Sequence, residues 1–197
     1  VTSGVVAANG SLVLDVYLDR LSYDLKTDVD GVVTVVKSYL YGATIEKPAD
    51  AANKTGYTFA GWSGYTDGMT MPIDGVTLTA TWTTNTHNIT WVIGEETYDT
   101  DENVEYGTVI TAPTPEKQGY EFSGWTGYTE GMTMPDNDVT FTGSWISSTD
   151  TKYTVEIYTM NTEGSYDKSS TTKTGTTGET AKAEYTVAEG FELSTTQ

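Results

Sequence analysis

Val76-Thr-Leu-Thr-Ala-Thr-Trp82 alternates strictly, placing Val76, Leu78, Ala80 and Trp82 on one face and the threonines on the other. A period of two predicts a half-buried strand whose solvent face is built from β-branched hydroxyls. Val139, Phe141, Gly143 and Trp145 carry the same pattern. Gly56-Tyr-Thr-Phe59 and Gly119-Tyr-Glu-Phe122 predict shorter strands, each running into Gly-Trp. Upstream, Ile89, Trp91 and Ile93 alternate before a hairpin turn at Gly94, and the return strand approaches Tyr106-Gly107. Tyr23, Leu25 and Thr27 likewise precede a turn at Asp28-Val-Asp-Gly31, with a return from Val32 to Tyr41-Gly42. The Gly- and Thr-rich stretch from Ser63 to Pro72 has no period and predicts an ordered loop closed by Met69, Met71 and Pro72. Pro48 can open one helical turn in the alanine-rich stretch to Lys54, whereas the two prolines at 113 and 115 leave no room for more.

The pattern occurs twice because the sequence does. Residues 55–82 and 118–145 are near copies, in which Trp62 matches Trp125, Pro72 matches Pro135 and Trp82 matches Trp145. A fixed period of this kind is the signature of tandem small modules. It predicts module 1 over residues 21–84 and module 2 over 85–147, joined by polar connectors so short that they favour a semi-rigid rod. The ends predict halves of a further module. Tyr153, Val155 and Ile157 alternate, residues 161–164 turn, and Gly190-Phe-Glu-Leu193 resembles the Gly-Tyr-x-Phe strand, so residues 148–197 read as an N-terminal half. Val5-Val6, a turn at Ala8-Asn-Gly10 and the apolar face Leu12, Leu14, Val16, Leu18 make residues 1–20 a C-terminal half. Two explanations remain open. Either the boundaries divide a module, or one chain's end completes another's by strand addition, a head-to-tail contact that builds filaments when it does not close.

Composition narrows the function. The 28 acidic and 10 basic residues give a net charge of −18, a surface that repels phosphate and disfavours nucleic acid and anionic membranes. No run of 18 apolar residues provides a membrane span. The lack of an initiating Met and a signal peptide leads us to expect an interior piece of something longer. Zero cysteines exclude disulfides and thiolate metal sites.

Candidate chemistry is sparse. Trp62 and Trp125 with Tyr65 and Tyr128 are candidates for a sugar-stacking platform in the loops 63–71 and 126–134. The competing reading makes Tyr57, Phe59, Trp62 and Trp82, with Tyr120, Phe122, Trp125 and Trp145, the core of each copy, repeated because every module needs one. Asp99, Asp101, Glu102 and Asn103, and Asp136, Asn137 and Asp138, are oxygen-rich without the spacing of an EF-hand loop, so they read as solvated turns. Asp28 and Asp30 flank a Gly turn, where Asp caps its own backbone. His87, the single histidine, lies in a connector with no orienting carboxylate at a defined spacing. Lys37, Lys47 and Lys117 carry no signature of an isopeptide cross-link. No catalytic residue, cofactor or metal ligand is expected, and an enzyme is not the reading.

The run Gly-Tyr-x-Phe-x-Gly-Trp, then Met-x-Met-Pro, then Val-Thr-x-Thr-x-x-Trp, complete at 56–82 and 119–145, resembles the Listeria–Bacteroides repeat, the module type of internalin B-repeats. With the preceding hairpins the resemblance covers about residues 21–147, and the terminal pieces resemble variant repeats more weakly. It implies mainly β, β-grasp-like small α+β modules strung as an elongated array on extracellular bacterial proteins. The implied roles are a stalk, spacer or filament subunit at the cell surface or wall. An adhesin module recognising host glycan or protein is the alternative.

Overall fold

A computed structural model describes residues 3–194, and among these the chain forms strands, turns and loops without a helix. It divides into two compact units, the first ending at Thr86 and the second beginning at His87.

The first unit is one mixed sheet. Strands β1 (Ser22–Val29) and β2 (Val32–Leu40) form a hairpin, and β3 (Tyr57–Ser63) and β4 (Val76–Thr84) form a second antiparallel pair. β4 joins them by running parallel to β1, with Leu25 opposite Val76 and Thr27 opposite Leu78, giving the order β2-β1-β4-β3. A central parallel pair flanked by antiparallel edges is the β-grasp arrangement. The hairpin turn is tight because Asp30 and Gly31 both take positive φ (52° and 87°), the backbone of a type I′ turn, and the Gly31 N–H is held by the Asp28 carboxylate at 2.8 Å.

A helical turn after Pro48 is absent, and the α component of the expected α+β module is corrected accordingly. The connection is held instead by side-to-main-chain bonds that an extended backbone supplies. The Ala49 carbonyl accepts the Trp62 indole N–H at 3.2 Å, and the Asn53 amide oxygen accepts the Phe59 N–H at 3.0 Å. The Met-x-Met-Pro segment also has a partner. Ile45 N–H donates to the Met69 carbonyl at 2.9 Å and Met71 N–H to Ala43 at 2.8 Å, so the loop after β3 is zipped onto the residues after Tyr41-Gly42. This places Ile45 and Met71 in the core with Leu25, Leu78 and Trp62.

The second unit repeats the plan. Strands β5 (Thr86–Ile93) and β6 (Glu96–Glu105) lie in one sheet with β8 (Val139–Gly143), which runs parallel to β5 with Ile89 opposite Val139 and Trp91 opposite Phe141. β7 (Tyr120–Phe122) pairs with β9 (Trp145–Ser147), so the counterpart of β4 is interrupted at Ser144. There the Ser123 hydroxyl accepts the Ser144 N–H at 2.9 Å in place of a ladder bond. Gly143 is fixed by the same crowding, since a Cβ on it would meet the Phe122 ring at 2.5 Å. Ile110 N–H to Met132 at 3.0 Å and Met134 N–H to Thr108 at 2.8 Å reproduce the zipper.

Strands β10 (Thr151–Met160) and β11 (Tyr166–Gly175) form a separate two-stranded hairpin in the second unit, tied to the module by Thr177 N–H on the Ser148 carbonyl at 2.9 Å. The expected strands at the two ends are not formed. Residues 3–20 keep the turn, with Gly10 N–H on the Ala7 carbonyl at 3.0 Å, but Leu12–Leu18 enter no ladder, and neither does Gly190–Leu193. A strand is a paired state, and alternation alone provides no neighbour for its N–H and C=O groups. Val1, Thr2 and Thr195–Gln197, which the expected half-modules include, lie outside the described residues.

Candidate functional site

Each module carries the same aromatic wall, assembled by its last antiparallel pair. β3 opposes Phe59 to Trp82, and a bulge at Ala60 swings Trp62 beneath the sheet, so Phe59 meets Trp62 edge-on at 5.1 Å and Trp82 at 5.8 Å. Phe122 repeats this against Trp125 at 4.8 Å and Trp145 at 5.6 Å. Both deep indoles donate to the crossover, Trp62 to Ala49 and Trp125 to the Pro113 carbonyl at 2.8 Å.

The residues expected as core are thus brought together, but they are not the deepest. Of the eight, Trp62 is buried, and Tyr57, Phe59, Trp82, Tyr120, Phe122, Trp125 and Trp145 are half-buried. The fully enclosed centres are Leu25, Ile45, Met71 and Leu78 in one module, and Ile89, Trp91, Ile110, Met134 and Phe141 in the other. The register makes Thr27, buried at 8% exposure, the counterpart of wholly buried Trp91. Module 2 therefore has the larger aromatic centre, with Trp91 stacked on Phe141 at 4.7 Å and tilted against Trp125 at 4.9 Å. The Trp91 indole N–H reaches the Asp101 carboxylate at 2.9 Å, which assigns one member of that acidic cluster to folding.

The outer edge of the wall is capped by a lysine in both copies. Lys54 lies 4.4 Å over Trp82 and 5.2 Å over Tyr57, while its ammonium pairs with Asp30 at 2.7 Å. Lys117 lies 4.3 Å over Tyr120 and 5.8 Å over Trp145. Both sit in the same turn, where Tyr57 N–H returns to Lys54 and Tyr120 N–H to Lys117. Lys37 pairs with Glu46 at 3.0 Å, a hydrogen bond and charge that raise its pKa, and Lys47 pairs with Asp50 at 3.0 Å. A sugar approaching the Trp82 or Trp145 face would have to displace an ammonium.

Tyr65 and Tyr128 turn toward the cores. Tyr128 packs edge-on against Trp91 (5.9 Å) and Phe141 (5.7 Å) and donates its hydroxyl to the Ile110 carbonyl at 3.2 Å. Tyr65 packs on its own module's cluster, and desolvation followed by the nearby Asp67 charge pushes its phenol pKa up.

His87 has partners that sequence spacing did not show. Its Nε2 lies 3.0 Å from Asp136 and its Nδ1 3.6 Å from Asp138, whose carboxylate also accepts the Asn88 N–H at 2.8 Å. The parallel β5–β8 pairing puts residues nearly fifty positions apart side by side, which short-range reading does not reach. In module 1 the corresponding corner holds Tyr23 and Gly75, and a Cβ at Gly75 would lie 2.5 Å from the Asp24 carbonyl oxygen. The His–Asp clamp thus closes a corner that module 1 closes by direct backbone approach. Among the described residues no hydroxyl nucleophile is seated on His87, and no cluster of metal-ligating side chains has ion-holding geometry.

Comparison with known proteins gives the same division. Residues 23–86 match the divergent InlB B-repeat domain, and residues 87–164 match the Listeria–Bacteroides repeat domain. Over 123 residues, 56% of this chain, the sequence is 32% identical to a glycine-rich membrane protein of Evansella cellulosilytica. It is 35% identical to internalin H of Listeria monocytogenes over 114 residues, 53% of this chain. Another membrane protein of E. cellulosilytica is 30% identical over 95 residues, 43% of this chain. The chain spans only 14%, 20% and 14% of the length of these three relatives.

Proposed function

We propose, from the premise that this chain belongs to the Listeria–Bacteroides (InlB B-repeat) repeat family through residues 23–86 and 87–164, that it is a structural spacer segment of a bacterial cell-surface protein. The observation that carries this is the duplicated aromatic wall. The same residues, at the same centroid distances within 0.3 Å, serve the interior of each copy, with a lysine over the outer ring. A surface kept for a ligand need not also be the module's means of folding, whereas an array needs each unit to hold its own core. The acidic exterior opposes collapse of such a segment onto itself or onto anionic polymers.

The relatives described as membrane proteins and internalin support placement outside the cell, at the surface or wall. The inward packing of Tyr65 and Tyr128 supports the spacer over the glycan-binding reading. The test is a display series on a Gram-positive cell, with a reporter epitope fused beyond one, two or three copies of this chain. Antibody access is expected to rise with copy number, and access that does not change contradicts the spacer role. Saturable quenching of tryptophan fluorescence by mucin-type glycans, lost in Tyr65→Ala/Tyr128→Ala with the fold intact, would instead establish the adhesin reading.

A further inference from the structure

Strand direction decides how each module meets a pull along the chain. Module 1 is entered at Ser22, the start of β1, and left through Thr84, the end of β4. These two strands are hydrogen-bonded neighbours and run the same way, with Leu25 opposite Val76 and Asp28 opposite Thr79. Entry and exit therefore lie at opposite ends of the module. Ser22 stands three residues before Leu25 and Thr84 eight after Val76, so the two points are roughly 35 Å apart along the strand direction. Module 2 has the same layout, with β5 and β8 paired in parallel from Ile89–Val139 to Ile93–Gly143. Side chains lengthen its ladder at the entry end. The Asp138 carboxylate accepts the Asn88 N–H at 2.8 Å, and His87 Nε2 lies 3.0 Å from Asp136.

Drawing the start of one parallel strand away from the end of its neighbour slides the two past each other. The rungs of the ladder are evenly spaced, so all of them bear the load at once. Drawing apart the same ends of both strands instead opens the ladder one rung at a time. β2, the crossover and β3 lie between β1 and β4 in sequence, so the ladder shields them from tension until it fails. The strands on the line of force also carry the deepest side chains. Leu25 and Leu78 are wholly buried on β1 and β4, and Trp91 lies opposite Phe141 on β5 and β8, so water is kept from the inner side of both ladders. Forced unfolding is governed by the barrier to unfolding and not by equilibrium stability alone. A small module can thus resist tension if its ladder is met in shear.

We propose that the two modules are load-bearing, and that the parallel pairs β1–β4 and β5–β8 are shear ladders holding each module closed when the chain is pulled lengthwise. This rests on the reading of the chain as a surface spacer, and adds resistance to tension to the reach that a spacer provides.

The chain has no cysteine, so a pair of introduced cysteines can carry the handles and fix the direction of pull. In the full chain, S22C with T83C loads the β1–β4 ladder in shear, whereas S22C with T77C opens the same ladder from one end. Ser22, Thr77 and Thr83 are all exposed, so the cysteines replace no core side chain. Held in optical tweezers at one constant force, S22C/T77C is expected to unfold about tenfold or more faster than S22C/T83C. Module 2 supplies a second pair at exposed positions, T86C/I146C for shear and T86C/T140C for opening from one end, with the same difference expected. Equal unfolding rates in the two directions, or faster unfolding in shear, would overturn the proposal. None of these outcomes bears on the display series, which reads length and not load.

Discussion

At the residue scale, the two modules solve one packing problem with different side chains. Thr27 and Trp91 share a position, and the indole in module 2 recruits Phe141, Trp125 and Tyr128 into one aromatic cluster. Trp91→Ala should therefore destabilise module 2 by about 3–5 kcal/mol, in the range for deleting a buried large aromatic. Lys117→Ala removes only an exposed cation over Tyr120 and should cost about 0.5–1 kcal/mol, both read by chemical denaturation. Asp138→Ala leaves the Asn88 N–H without its carboxylate and His87 with Asp136 alone, and should cost about 0.5–1.5 kcal/mol, with the Asn88 amide losing exchange protection first. The repeated tryptophans were legible as interior residues because their copies share an offset. Trp91 as the deepest ring was not, since it has no repeat to mark it. His87 with Asp136 and Asp138 was not legible either, because only the parallel strand pairing brings them together.

At the element scale, period-two alternation located β1, β4, β5, β8 and β10, and turn chemistry located the three hairpins. The helical turn failed because Ala49 and Asn53 are committed to Trp62 and Phe59, bonds formed with residues the crossover meets only after folding. The terminal strands failed for the complementary reason, that among the described residues these segments enter no ladder. The β10–β11 hairpin has its own electrostatic tie. Glu156 accepts from Tyr158 at 2.7 Å and from Lys168 at 3.0 Å, the phenol bond first and the ammonium second, and both hold its pKa below the ordinary carboxylate value. Lys168 and Tyr158 are raised in turn by Glu156. A depressed carboxylate stabilises the fold above its unfolded pKa, and that contribution is lost as pH falls through the folded value. The raised Lys168 contributes below its own unfolded pKa, and its part is lost as pH rises through the folded one. Amide protection across β10–β11 is therefore expected to be highest between these limits, and Glu156→Gln should flatten the acid limb. An acid limb unchanged by Glu156→Gln would refute that assignment.

At the scale of the whole molecule, two units carry separate interiors. Leu25, Ile45, Trp62, Met71 and Leu78 belong to one, and Ile89, Trp91, Ile110, Met134 and Phe141 to the other. The duplicated pattern is explained by each module folding around its own interior. Separate interiors predict that each module folds and unfolds without the other. Native-state hydrogen exchange on Trp62→Ala, followed strand by strand, decides this. Amides of β1, β3 and β4 are expected to lose most of their protection while those of β5, β6 and β8 keep theirs. Joint loss across both sets, as from a single cooperative core, would contradict independent folding.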